Sequence, residues 1–192
     1  MKVAMFNGSA RKEGNTHIML GWLAKALAAE GIDSEITDMS GLKLHGCTAC
    51  SACFTAKNRR CAKQDDMNGL IAKMDAADGI ALASPTYFAD VTAEMKALID
   101  RAGYVGVAND NMYRRKVGAS VVTARRGGAI HAFDTMNHFF QISQVYIVSS
   151  RYWNMGYGRQ IGEVASDKEG ELTMEVLGQN MAWLLKRIHG EK

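Results

Sequence analysis

Proline is nearly missing from this chain, with Pro85 the single example in 192 residues. That scarcity excludes proline-rich linkers and makes the one proline a landmark. Long apolar runs are missing too. No stretch approaches the ~20 residues of a membrane span, and Met1-Lys2-Val3-Ala4-Met5-Phe6 reaches Asn7 too soon for a secretory signal. Charge of one sign is scarce: 23 lysines and arginines face 20 acids, for a net charge of +3. Basic residues cluster only in short runs, such as Arg59-Arg60, Arg114-Arg115 and Arg125-Arg126, so no stripe suited to nucleic acid exists. His17, His45, His131, His138 and His189 show no metal spacing, and no Ser-His-Asp arrangement can be drawn, so no catalytic side chain is assigned. These absences lead to the expectation of a cytoplasmic protein with neither a nucleic-acid nor a membrane partner.

Cysteine is also rare, but its placement is informative. All four cysteines fall in one short segment, as Cys47-x2-Cys50-x2-Cys53-x7-Cys61. In a reducing compartment such a group reads as metal-binding or redox-active rather than as disulfides. Thiolates two residues apart can converge on one centre. Two such steps in succession, with a fourth cysteine close behind, suit an iron–sulfur cube better than zinc, whose usual pattern is two separated pairs. Zinc as a structural clip, or thiols that hold no metal, stay open as alternatives.

The remaining pattern alternates strands and helices. Val3–Phe6, Ser34–Met39, Gly79–Ala83, Val117–Thr123 and Val145–Val148 read as strands. Leu20, Leu23, Ala24 and Leu27 repeat at helical spacing, as do Met67, Leu70, Ile71 and Met74, and then Met95, Leu98, Ile99 and Ala102. Ile130, Phe133 and Phe140 are expected to line a fourth helix, and Leu177, Met181, Leu184 and Ile188 a fifth. Asp100-Arg101 reads as a pair on a helix surface. Five strands alternating with five helices imply an α/β domain over 1–192: a doubly wound, five-stranded parallel sheet of order 2-1-3-4-5 with helices on both faces. Residues 41–64 and 150–170 are the long irregular stretches, and loops of that length are where function is expected to gather.

The first strand runs into Gly8-Ser9-Ala10-Arg11-Lys12-Glu13-Gly14-Asn15-Thr16. A strand, a glycine turn and a helix start put main-chain N–H groups and a helix dipole around one point, which fits an anion. The sequence lacks both the GK[ST] ending of a triphosphate loop and a dinucleotide fingerprint. Ser84-Pro85-Thr86-Tyr87-Phe88 follows the third strand and can lay backbone against a flat ring. In a sheet of this order the two turns flank the crevice at the switch point. A phosphate turn beside clustered thiols suggests a flavin next to a metal centre.

Four segments in this order resemble the flavodoxin-like NADPH-dependent FMN reductases, specifically their iron–sulfur flavoprotein branch. They are the turn at 8–16, the cysteine run with Gln64-Asp65-Asp66-Met67 behind it, Ser84-Pro85-Thr86-Tyr87, and Met95-Lys96-Ala97-Leu98-Ile99-Asp100-Arg101. The resemblance implies FMN, its phosphate at Ser9, Arg11, Gly14, Asn15 and Thr16, and its ring against Pro85, Thr86, Tyr87 and Phe88. A third flavin loop follows strand four, at Thr123, Ala124, Arg125, Arg126, Gly127 and Gly128. It further implies a 4Fe-4S cluster on Cys47, Cys50, Cys53 and Cys61, NAD(P)H as co-substrate, and a small-molecule or redox-protein donor and acceptor. A homodimer or homotetramer is implied as well, with Ser149–Gly158 covering a neighbour's flavin. The expected activity is FMN-dependent oxidoreduction. A cluster-free quinone or flavin reductase and a flavodoxin-type carrier are the alternatives.

Overall fold

The computed structural model describes residues 1–190, in which six strands form one parallel sheet. Strands β1 (Lys2–Asn7), β2 (Asp33–Asp38), β3 (Gly79–Pro85) and β4 (Val117–Ala124) lie in the order β2-β1-β3-β4, with β5 (Tyr146–Ile147) next. The expected order 2-1-3-4-5 is therefore observed. Alternation along β1 explains why the sheet must be covered twice: Val3 and Met5 enter one apolar cluster, Ala4 and Phe6 the other.

Helices α1 (Asn15–Ala29) and α6 (Lys168–His189) cover one face. Met19, Leu20, Leu23 and Leu27 of α1 are completely buried there, each burial being worth roughly 1.5–3 kcal/mol. The other face takes α3 (Met67–Ala76), α4 (Ala93–Ala108) and α5 (Ala129–Ile142), with the five-residue α2 (Ala52–Ala56) against α4. Along α5 the buried stripe is Ala129, Ala132, Met136, Phe139 and Phe140. Ile130, expected inside, is exposed, because the stripe begins one residue earlier than its larger side chains suggest.

The fifth strand departs most from expectation. Only Tyr146–Ile147 pairs with the start of β4, at Val117–Gly118. A further strand, β6 (Met155–Tyr157), pairs with the end of β4 at Val122–Ala124. Asn154 fills the gap, its amide donating to the Ser120 carbonyl at 3.0 Å while its own main-chain carbonyl accepts from the Val122 N–H at 2.9 Å. Side chain thus replaces ladder where the chain loops away. The stretch from 150 to 170 contains β6, a 3-10 turn at Glu163–Ser166 and the first turn of α6, so it is less irregular than its composition suggests.

At the sheet edge, Glu35 accepts from Lys2 and Lys73, each at 2.6 Å. These two bonds hold its carboxyl down to about 2. A depressed folded pKa contributes stability that is present above the unfolded value and lost as pH falls towards 2. Glu35→Gln is expected to cost about 0.5–1 kcal/mol at pH 7. Urea melts at pH 7 and pH 2 check this: the gap between variant and parent closes at the lower pH.

No helix among the described residues is long and apolar enough to cross a membrane.

Candidate functional site

Four segments meet beyond the carboxyl ends of β1, β3, β4 and β6. Together Ser9, Arg11, Asn15, Thr16, Pro85, Thr86, Tyr87, Thr123, Ala124, Arg125, Gly158 and Arg159 line one crevice. The first turn is shaped by its own bonds: the Ser9 N–H donates to Asn7 Oδ1 at 3.1 Å, and the Arg11 N–H to Ser9 Oγ at 3.1 Å. Gly14, expected at the phosphate, is not among the residues that line the crevice. A Cβ there would stand 3.0 Å from Arg11 Cβ, so glycine lets the turn close. No side chain caps Gly14, which leaves the first N–H groups of α1 for an anion.

Side chains link these loops to one another. Thr16 Oγ1 and Thr123 Oγ1 are 2.7 Å apart, joining α1 to the end of β4. The Asn15 amide donates to the carbonyls of Gly158 at 3.0 Å and Gln160 at 2.9 Å, and its oxygen accepts from the Val164 N–H at 3.3 Å. Asn15 therefore spends its side chain on the 158–164 loop and offers the crevice its main chain.

The second turn is a two-residue hairpin. Tyr87 and Asp90 exchange both main-chain bonds, with Phe88 and Ala89 in the left-handed region at φ +48° and +63°. That geometry turns Phe88 wholly into solvent, at 108% relative exposure, instead of against the crevice. Arg126, Gly127 and Gly128 also stand outside the lining, while Arg125 belongs to it. Gly128, at φ +82°, serves the packing of loops instead. A Cβ there would lie 3.2 Å from Ala89, so glycine permits the 85–90 and 124–128 turns to approach. Arg159 is a lining residue that sequence reasoning missed, and Gly158, expected over a neighbour's flavin, lines this chain's own crevice beside Ala124.

The crevice contains one buried polar atom with nothing to bind. Thr86 Oγ1 has no hydrogen-bond partner among the described residues. A free hydroxyl in a cleft that also presents uncapped amides and arginines fits a phosphorylated heterocycle such as FMN.

The four cysteines gather on the α4 side of the sheet. Cys47, Cys50, Cys53 and Cys61 all line one hollow, with Arg101, Tyr104 and Val105 of α4 as its floor. All four are free thiols. Phe54 of α2 meets Tyr104 edge-on, ring centroids 5.0 Å apart. Asn68 of α3 holds the main chain of Cys61 from both sides, accepting from its N–H at 2.8 Å and donating to its carbonyl at 3.0 Å. Burial pushes the Cys53 thiol up. The Ala52 N–H and the Thr48 hydroxyl pull the Cys50 thiol down. Among the described residues no three His, Cys, Asp or Glu side chains converge closely enough to be a ready-made metal cage. The donor set suits soft metals all the same, with four thiols and no carboxylate or imidazole in the lining.

Arg101 corrects the expectation of a surface pair. Its partner in sequence, Asp100, does face solvent and binds Lys96 at 2.5 Å. Arg101 is 1% exposed and binds Asp65, whose side chain is 2% exposed, at 2.6 Å. Sequence held one usable signal: Asp65 follows the cysteine run at a point where an arginine on a packed helix could find it.

A parallel 2-1-3-4-5 sheet covered by helices on both faces defines the flavodoxin-like class of α/β proteins. Residues 1–160 match the model of the NADPH-dependent FMN reductases, and the chain belongs to that family. It is accordingly an FMN-dependent oxidoreductase. An iron–sulfur flavoprotein of Methanocaldococcus jannaschii is 33% identical over 98% of this chain and 99% of its own. One of Methanosarcina thermophila is 31% identical, with 77% of each chain covered. The NAD(P)H:quinone oxidoreductase from Methanothermobacter marburgensis shares the fold, with a TM-score of 0.71 at 13% identity over 94% of this chain and 98% of that one.

Proposed function

We propose that this chain takes electrons from NAD(P)H or a small redox protein onto FMN and passes them to an acceptor by way of a 4Fe-4S cluster on Cys47, Cys50, Cys53 and Cys61. FMN supplies the step between paired and single electrons, and the cluster supplies a one-electron carrier. The observation that carries this reading is the presence, in one chain, of a crevice with an idle Thr86 hydroxyl and a hollow lined by four free thiols. Helix α4 leads from one to the other, since it follows the 85–90 turn and floors the hollow at Arg101 and Tyr104.

The chain's own groups have distinct roles in this reading. Main-chain amides at Asn15 and Thr16, with Arg11, hold the phosphate. Pro85, Thr86 and Tyr87 face the ring, and Arg125 stands where negative charge on a reduced ring is favoured. Gly127 and Gly128 shape the third loop from outside the crevice lining, and the solvent-facing Phe88 suits whatever covers the open side. A second copy of the chain is the proposed cover, in a homodimer or homotetramer, and the exposed Phe88, Tyr152 and Trp153 suit it.

A second reading is a cluster-free NAD(P)H-dependent reductase, and the unconverged thiols favour it. Two measurements on anaerobically purified protein decide. NADPH is expected to bleach bound flavin in a stopped-flow trace, and iron and acid-labile sulfide are expected near four each per chain, as a cube requires. Zinc without sulfide, or thiols without either, would leave only the second reading. Protein that refuses added FMN sinks both.

A further inference from the structure

A deeply buried arginine with an unused donor stands at the edge of the thiol hollow. Arg101 Nη1 donates to Asp65 Oδ2 at 2.6 Å and to the His45 carbonyl at 3.2 Å, and Nη2 donates to the Lys63 carbonyl at 3.3 Å. His45 precedes the first cysteine; Lys63 and Asp65 follow the last. One side chain from α4 thus ties the entry of the cysteine segment to its exit. His45 Nδ1 closes the triangle, 3.2 Å from the same Asp65 oxygen.

The segment has reason to need a tie. Ala49, Ser51, Lys57 and Arg59 are all left-handed non-glycine residues, a conformation that disfavours L side chains. Such a stretch opens readily unless its ends are fixed. The third nitrogen of Arg101 is the unusual feature. Nε has no partner among the described residues, although a guanidinium buried this far ordinarily spends its N–H groups. Burial opposes the charge, yet the bond to Asp65 holds it and pushes the Arg101 pKa up.

We propose that Arg101 is the positioning residue of the cysteine centre: its Nη groups clamp the ends of the 45–65 segment, and its spare Nε–H donates to a sulfur of the assembled centre. The donor half rests on the four-cysteine reading above; the clamp half stands without it. A hydrogen bond to a cluster sulfur favours the reduced, more negative state, so its loss moves the reduction potential downward.

Two variants test this. Arg101→Lys keeps the charge and removes the fork. Arg101→Gln combined with Asp65→Asn removes both charges together, so that neither is left buried alone. In metal-free protein, amide hydrogen exchange is expected to quicken at least about tenfold across 45–65 in both variants, with β1, β3 and β4 unchanged and FMN still bound. Unchanged exchange overturns the clamp. In protein reconstituted anaerobically with iron and sulfide, the cluster midpoint followed by electron paramagnetic resonance is expected to be more negative in both variants at parental iron content. An unchanged midpoint overturns the donor. If the parent takes up no iron and sulfide, the donor half falls together with the cluster reading, while the exchange result still decides the clamp.

Discussion

Gly158→Ala is expected to weaken FMN binding at least about tenfold, or some 1.4 kcal/mol, with the fold intact. Gly158 sits where the chain leaves β6 beside the 8–16 turn, its N–H donating to the Ala124 carbonyl at 3.0 Å and its carbonyl accepting from Asn15. A Cβ would stand 2.7 Å from the Val164 main-chain nitrogen and 2.8 Å from Asn15 Nδ2. Neither neighbour can give way cheaply, because the Val164 N–H is bonded to the Asn15 side chain. The loop must swing outward instead, taking Gly158 and Arg159 from the crevice lining. Gly127→Ala is the control, since a Cβ there meets nothing within 4 Å, and its effect is expected to stay under about twofold. Titrating FMN fluorescence against the three apoproteins gives the comparison. Equal affinity for Gly158→Ala and the parent would show that the 158–164 loop has no part in holding the cofactor.

Periodic burial was the legible part of the fold. Val3–Phe6 reads as a strand buried on both faces, and Leu20, Leu23 and Leu27 read as a helix stripe, because in each case the side-chain period matches the geometry that buries it. β6 escapes such a reading because three residues give no period, and because its pairing depends on Asn154, whose part is visible only when β4 lies beside it. Ile130 is misplaced by sequence for a related reason. Small residues, Ala129 and Ala132, occupy the packed side of α5, so a reading that follows large apolar residues rotates the helix away from its true face.

At the crevice, sequence locates the turns but not the direction of their side chains. Asn15 reads as a phosphate ligand, whereas its amide is committed to residues more than 140 positions away. Phe88 reads as a ring contact, but the left-handed hairpin turns it outward. Local pattern says which residues share a turn. Which of them face the crevice is decided by hydrogen bonds to distant segments, and those leave no trace in spacing. The cysteines mark the opposite case: spacing alone gathers four thiols into one segment, and the structure shows what spacing could not, that Asn68 and Arg101 hold that segment against α3 and α4.

Cys50→Ser is expected to separate the two sites. Cys50 is exposed, so a serine there removes a thiolate without opening the core. Cys53 would be a poorer choice. It is buried and packs within the main apolar cluster, where a hydroxyl in place of the thiol would add a desolvation cost to any loss of metal. The crevice shares no lining residue with the hollow, so FMN affinity and the rate of flavin bleaching by NADPH are expected to stay within about twofold of the parent. Iron and sulfide per chain are expected to fall, since a cube needs its fourth thiolate, and reduction of a one-electron acceptor is expected to slow roughly 100-fold or more. Quinone reduction by electron pairs needs only the flavin and is expected to persist. If the variant passes single electrons as fast as the parent while its iron is gone, the thiols carry no electrons and the cluster-free reductase is the correct account. If bleaching is lost as well, the hollow and the crevice are coupled through α4, and their separation into two working sites is wrong.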